Sequence, residues 1–396
     1  VQTCALPIFL ANLGGALGAT RLYGADGVNK GFEFDGTVYV PIRTGMTVDT
    51  PVHVAVQKNY LFFSFGPSLQ NSGLGAPYVW SPIFGTNELV VPENITCLQS
   101  MPGDATTAAL AIYTKNNTHM LYGVASSAWN LVPFDKGTGA AAYTAQTITD
   151  AYTLDDRGVM SLSTTRNFGN FDSATLTFSI RPFISARRGL ATASGINREK
   201  SQYRVFYSDS YALYVTIVNG QMLGAMPVYF SNPVTCWCEG ETGSGAEYSF
   251  FGSTNGYVYR MDVGPDFDGN AIGANILLNF NPEGAARVLK RYRRASLELT
   301  GTGYSTFDFG YQLGYNSIDI DQAGTTTYAV PLANSNWDSF VWDSFTWDTR
   351  GLAPVEIQCD GTAENIAVAV QSNSRYNQPF TINSVTLHYT FRRGIR

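Results

Sequence analysis

The stretch Glu247–Asp262 reads E-Y-S-F-F-G-S-T-N-G-Y-V-Y-R-M-D, and the rest of the chain repeats its grammar. Two short runs of aromatic and β-branched residues flank Ser253-Thr254-Asn255-Gly256. Asn-Gly is the strongest two-residue hairpin signal, because a type I′ turn needs positive φ at both central residues. Beyond it, Tyr257, Tyr259 and Met261 alternate with Val258, Arg260 and Asp262, the period of a strand. Gly264-Pro265 breaks the chain again, and a third strand is expected to follow.

Val205–Ile217 turns in the same way at Ser208-Asp209-Ser210, with the next turn at Asn219-Gly220. Leu110–Val124 turns near Asn116 and again near Ser127. Fainter copies turn at Asp155-Asp156-Arg157-Gly158 and at Gly66-Pro67. With turn centres near residues 67, 116, 156, 209 and 255, the spacings are roughly 49, 40, 53 and 46 residues. A period of about 45 residues with four short strands per unit fits a β-propeller blade. One such blade is too small to bury its own faces, so blades must stack around an axis. A large antiparallel sandwich is the alternative, with turns about 8 to 12 residues apart.

The 396 residues suffice for two or three domains. Charged residues make up only 14% of the chain, while 39 glycines and 23 tyrosines favour turn-rich β structure over helices. Low charge with many aromatics also suits a protein that hides surface in an assembly. The net charge of −6 argues against general attraction to nucleic acid. Cys4, Cys97, Cys236, Cys238 and Cys359 are an odd, scattered set, and with His53, His119 and His388 the only histidines, no zinc pattern forms. They read as buried thiols of a protein made in a reducing cytoplasm, with Cys236 and Cys238 on one face of a strand.

Val1–Leu10 is apolar but lacks the basic start of a signal peptide, and Pro7 interrupts it. Val-Gln-Thr-Cys-Ala-Leu-Pro-Ile looks like a translated sequencing-adaptor fragment, so residues 1–10 are expected to be non-native. Residues 11–285 are then read as the propeller-like domain and 286–396 as a C-terminal β-sandwich. A hairpin is expected at Asp35-Gly36, and Ser72–Ser81 reads as a Gly/Pro loop whose Trp80 either packs on a sheet edge or serves a binding loop. At 287 the character changes: Lys290, Arg291, Arg293 and Arg294 open a strand. Acidic or neutral residues follow them, so a solvated edge or a contact to an acidic neighbouring subunit is expected rather than a nucleic-acid patch. Residues 318–335 read as loop. Trp337-Asp338, Trp342-Asp343 and Trp347-Asp348 then recur every five residues. That spacing suggests successive tight turns, each Asp accepting a local N–H and each Trp filling a groove. Ile366–Val370 and Ser384–Phe391 read as strands, with Val385, Leu387 and Tyr389 sharing one face.

No nucleophile elbow, metalloprotease, Walker or dinucleotide-binding pattern is present in the sequence. Asp262, Asp266, Asp268 and Asn270 have oxygen ligands at calcium-loop spacing but lack the closing glutamate, and are read as a polar turn. Asp155-Asp156 is read as bonding its own backbone. No catalytic residue, metal or cofactor is expected.

His53–Phe65, Ser72–Trp80, Gln202–Ser208, Phe251–Tyr259, Lys290–Ala295 and the Trp-Asp repeat together resemble blocks of tailed-bacteriophage virion structural proteins, of the tubular or nozzle type of tail protein. The resemblance runs from about Arg21 to Arg396. It implies a non-enzymatic subunit of a homo-oligomeric ring in the virion, meeting other tail and portal-side proteins. DNA would pass through its channel without sequence recognition, and no membrane is involved. Such proteins carry a further N-terminal part, so the propeller is expected to be incomplete here. Two rivals remain: a host-surface glycan-binding propeller using exposed Trp and Tyr faces, and a propeller-type glycan depolymerase with two facing carboxylates.

Overall fold

The computed structural model describes residues 9–12, 21–101, 109–148, 150–162, 177–301, 304–331 and 353–394. The chain divides into two compact units, Val1–Asp262 and Val263–Arg396.

The first unit is a succession of six antiparallel sheets. Sheet 1 holds β1 (Phe9–Asn12), β2 (Leu22–Ala25), β3 (Phe32–Phe34) and β4 (Tyr39–Pro41). Sheet 2 holds β5 (His53–Gln57), β6 (Tyr60–Phe65), β7 (Ser68–Asn71) and β8 (Glu88–Val90). Sheet 3 holds β9 (Ile95–Ser100), β10 (Leu110–Thr114), β11 (Asn117–Tyr122) and β12 (Asn130–Lys136). Sheet 4 holds β13 (Gln146–Thr147), β14 (Ala151–Asp155) and β15 (Gly158–Ser161). Sheet 5 holds β16 (Ala191–Asn197), β17 (Gln202–Tyr207), β18 (Tyr211–Val218) and β19 (Gln221–Tyr229), and sheet 6 holds β20 (Val234–Glu241), β21 (Glu247–Ser253) and β22 (Val258–Arg260).

In every sheet the strands pair in chain order, and the first strands meet across sheets: β1 on β5, β5 on β9, β13 on β16 and β16 on β20. Between sheets 3 and 4 the Gln99 amide of β9 donates to the Thr147 hydroxyl of β13. This is propeller-like stacking, and its cause is visible in β6. Tyr60 and Phe62 enter a buried cluster with Ile95, Leu110 and Ile112 of sheet 3, whereas Leu61 and Phe63 enter one with Tyr23 and Ala25 of sheet 1. Period two sends alternate residues to opposite faces, so a run that is apolar at every position needs a neighbour on both sides. Leu110 and Ile112 against Ala111 and Tyr113 repeat the arrangement in β10.

All five turns found by spacing join the second and third strands of their sheets, in sheets 2 to 6. The turn type at Asn255-Gly256 differs from expectation. Only Gly256 has positive φ there (85°), and its N–H bonds Ser253 O at 3.1 Å, making Thr254-Asn255 the central pair of a three-residue loop. The Asn255 side chain accepts the Tyr257 N–H at 3.1 Å, which holds Asn255 in its ordinary backbone region. The I′ geometry occurs instead at Asn219 (φ 52°) and Gly220 (φ 74°), between β18 and β19. Sheets 4 and 6 hold three described strands each rather than four.

The second unit contains β23 (Ile272–Leu277), β24 (Val288–Gly301), β25 (Tyr304–Leu313), β26 (Thr326–Pro331), β27 (Ala353–Ala363), β28 (Ile366–Ser374) and β29 (Phe380–Gly394). They form two sheets, ordered β23-β28-β25-β26 and β27-β24-β29. Leu297, Leu299 and Ile357 from one sheet and Phe307, Phe309, Val368 and Val370 from the other share a single core, the signature of a sandwich. Val385, Leu387 and Tyr389 pack against that core together, as their alternation predicts.

Two expectations are corrected. The third strand expected after Gly264-Pro265 is β23, which pairs with β28, so the division falls after Asp262 and not near residue 285. Short apolar strands look alike in sequence, and pairing partners decide which sheet each joins. The segment read as loop from Thr325 contains β26, paired with β25 from Tyr304↔Pro331 to Phe309↔Thr326.

Candidate functional site

Two long segments carry no ionisable Asp, Glu, Lys, Arg or His side chain: the run between Lys58 and Glu88, and the run between Asp209 and Glu239. Both are buried at the centre of their sheets and apolar at the surface. In the first, the β7–β8 connection is tied down by its own backbone, with Gly73 N–H to Val79 O at 2.8 Å and Gly75 N–H to Asn59 O at 2.8 Å. Trp80 anchors it by stacking on Phe63, rings 5.3 Å apart and 12° from parallel, with its indole N–H on Pro77 O at 2.8 Å. The anchored loop leaves Ile83 89% and Phe84 67% exposed, beside exposed Leu74 and Tyr78. Trp80 therefore packs, and its loop presents other apolar side chains outward. In the second segment, the outer strand β19 leaves Leu223 69% exposed, with Met226 and Tyr229. Ile83 and Phe84 thus stand out on a short 3-10 turn and Leu223, Met226 and Tyr229 on a strand, both held by backbone hydrogen bonds.

The basic run behaves differently from the expected solvated edge. β24 is the middle strand of its sheet, and Lys290 is fully buried, its ammonium donating to Ala285 O (2.7 Å), Val288 O (3.1 Å) and Glu364 O (2.7 Å). Burial pushes its pKa below the usual lysine value. A register shift between Tyr292 and Arg294 switches the inward parity of the strand: Lys290 and Tyr292 are buried before it, Ala295, Leu297 and Leu299 after it. Arg294 pairs with Glu356 at 3.0 Å. Arg291 and Arg293 line a groove of about 550 Å³ with Tyr292, Phe309, Tyr311 and Asp360.

A second groove, of about 690 Å³, runs beside the exposed Tyr39 ring and is lined by Lys30, Arg43 and Asp49. Tyr39 is stacked on Phe32 at 4.8 Å, and the Asp49 carboxylate is taken up by the Thr44 hydroxyl at 2.7 Å. Each groove carries a single carboxylate, Asp360 or Asp49.

The acidic turns are employed within the fold. Asp262 accepts from Arg204 at 2.8 Å, Asp266 accepts the Gly269 N–H at 2.8 Å, and Asp155 accepts the Asp156 N–H at 2.6 Å. Among the described residues no three His, Cys, Asp or Glu side chains converge on a metal-sized site. Cys97 and Cys359 are free, buried thiols, and burial pushes that of Cys359 up to about 11. Cys236 and Cys238 correct the expectation of burial, since on the outermost described strand of sheet 6 the first is half-buried and the second exposed. No helix among the described residues is long and apolar enough to cross a membrane. Trp337, Trp342 and Trp347 lie outside the described residues.

One site escaped the sequence reading. Arg204 on β17 is 1% exposed and faces sheet 6, beside Phe206, which stacks on Trp237 of β20 at 5.0 Å. Its guanidinium donates to Gln202 Oε1 (2.9 Å) and Asp262 Oδ2 (2.8 Å) and lies over the Tyr214 ring at 4.3 Å. A lone charge in a strand apolar on both faces signals a paired, buried ion.

No family model and no curated protein matches the sequence. Among solved structures, the chain is similar to BBS1N in complex with ARL6DN, soaked with lead, at 17% identity and a TM-score of 0.43, covering 65% of this chain and 77% of that one. The mercury-soaked crystal of the same complex matches at 15% identity and a TM-score of 0.42, covering 62% and 74%. The computationally designed Ika8 protein matches at 12% identity and a TM-score of 0.39, covering 64% and 70%. The fold assignment rests on strand pairing and shared cores, independently of these similarities.

Proposed function

We propose that the chain is a structural subunit of a bacteriophage tail, a non-enzymatic protein that assembles with copies of itself into a ring forming part of the DNA-ejection conduit. The observation that carries the assembly is the outer surface of the two charge-free segments, where Ile83 and Phe84 stand exposed on a 3-10 turn and Leu223 and Met226 on the outer strand β19. These patches belong to sheets 2 and 5 of one unit. Two different patches that meet between copies make a head-to-tail contact, which generates a ring when the rotation closes. Preordered loops lose little conformational entropy on docking, which favours a stable assembly. The tail assignment itself rests on the resemblance of the sequence blocks. On this reading portal-side and tail proteins are the further neighbours, and DNA is transient cargo.

Sedimentation of the purified chain tests the assembly. The wild type is expected to form a discrete oligomer, and Ile83→Asp with Leu223→Asp to shift it to monomer by weakening association about a hundredfold. A wild type that stays monomeric at high protein concentration, or a double variant that assembles unchanged, would contradict the reading.

A second reading, a host-surface glycan-binding propeller, is favoured by one observation: the groove beside the exposed, stacked Tyr39 with Lys30 and Arg43 at its walls. Saturation transfer from the chain to a host-surface glycan, lost in Tyr39→Ala, would move it ahead.

A further inference from the structure

We propose that the groove lined by Arg291 and Arg293 is a binding site for an extended, carboxylate-bearing peptide segment of a partner protein. The inference concerns the second unit alone and does not depend on the ring.

The groove combines three features that structural packing leaves unused. First, its two guanidiniums are not committed elsewhere in the way their neighbours are. Lys290 is consumed by three carbonyls and Arg294 by Glu356, whereas Arg291 reaches Asp360 only at 3.7 Å, across a carboxylate that is 89% exposed. The register shift in β24 brings Arg293 to the same wall. Two cations and one carboxylate leave one net positive charge, suited to a single carboxylate rather than to a run of phosphates.

Second, the floor is apolar and aromatic, with Tyr292, Phe309, Tyr311 and Ile357. Tyr292 is 1% exposed, and its hydroxyl has no hydrogen-bond partner among the described residues. That hydroxyl is enclosed in the shared core, so the ring alone contributes to the floor. Tyr311 is fixed, donating to Asp360 O at 2.9 Å and accepting the Asp360 N–H at 2.8 Å, so this wall is rigid.

Third, the walls come from strands at the open side of the sandwich. Gln358 and Asp360 belong to β27, and Thr326 begins β26, each the outermost described strand of its sheet. Edge strands present backbone donors and acceptors that an extended peptide can pair with, those of Asp360 excepted because Tyr311 holds them, while the pocket reads alternate side chains. A volume of about 550 Å³ accommodates a few residues of such a peptide.

The test uses the full chain and a capped Val-Val-Asp-Val-Val peptide, with the Val-Val-Asn-Val-Val peptide, inorganic phosphate and a deoxythymidine decamer as alternatives, all followed by isothermal titration calorimetry. The acidic peptide is expected to bind, and Arg291→Met with Arg293→Met to weaken it by about tenfold or more, since charge-assisted pairs are lost. Arg294→Met, outside the groove, is expected to change affinity by less than about twofold. No binding of the acidic peptide at millimolar concentration, equal binding of the amide peptide, preferential binding of phosphate or the decamer, or an equal loss in Arg294→Met would each overturn the proposal.

Discussion

Arg204→Met is expected to destabilise the first unit by about 3 kcal/mol, the lower end of the range for removing one member of a buried ion pair. The lower end applies because Asp262 keeps 30% of its side-chain surface in water and retains Lys200 at 3.3 Å. Methionine keeps the unbranched apolar stem of arginine but is shorter and supplies no donors, leaving Gln202 Oε1 without its two guanidinium bonds. The stacking of the guanidinium on Tyr214 is lost as well. Because Arg204 joins sheet 5 to sheet 6, the loss should be local in origin. Faster amide exchange in Tyr203–Tyr207 and along Trp237–Glu239 should accompany a lower urea midpoint. Arg204→Lys keeps the charge without the fork and should fall between the two. An Arg204→Met midpoint equal to that of the wild type would show that the cluster holds nothing together.

Acid should weaken the first unit through His53. The imidazole is 2% exposed in β5, its Nε2 lies 3.2 Å from Ile95 O of β9, and a carbonyl can only accept, so the neutral ring carries its proton there. Burial pushes its pKa down from 6.5 to about 4. Between those values the unfolded chain binds a proton that the folded chain does not, so stability rises with pH and is lost as pH falls from 6.5 towards 4. The full linkage is about 3 kcal/mol. His119, whose pKa burial also lowers, adds in the same direction, so the measured quantity is the difference between wild type and His53→Gln. The variant should show a flatter fall in stability from pH 6.5 to 4.5, where fewer carboxylates titrate. Parallel curves would rule out a neutral, buried His53.

Much of the architecture was legible because it is written in local chemistry. Gly66-Pro67, Asp155–Gly158 and Ser208–Ser210 are turn residues, and their spacing marked the second hairpin of successive sheets. What local chemistry does not encode is partnership. β23 could have closed a seventh blade, yet its register from Ile272↔Ser374 to Leu277↔Ala369 belongs to the sandwich. Lys290 looked like one of four surface cations. Only the convergence of Ala285, Val288 and Glu364 carbonyls, the last of them distant in sequence, makes it a buried one. The Arg291–Arg293 groove depends on a register shift that strict alternation hides. Arg204 was within reach: Q-Y-R-V-F-Y places one charge amid residues buried on both faces, and such a charge must be paired.

Cryo-electron microscopy of the bacteriophage proposed to carry this chain tests the central claim most directly. The account predicts a closed ring of copies of this chain around an axial channel in the tail, with the Ile83–Phe84 loop and the β19 strand at the boundary between adjacent copies. Density placing the chain as isolated copies at the fibre tips, with those side chains in solvent and the Tyr39 groove facing outward, would contradict it.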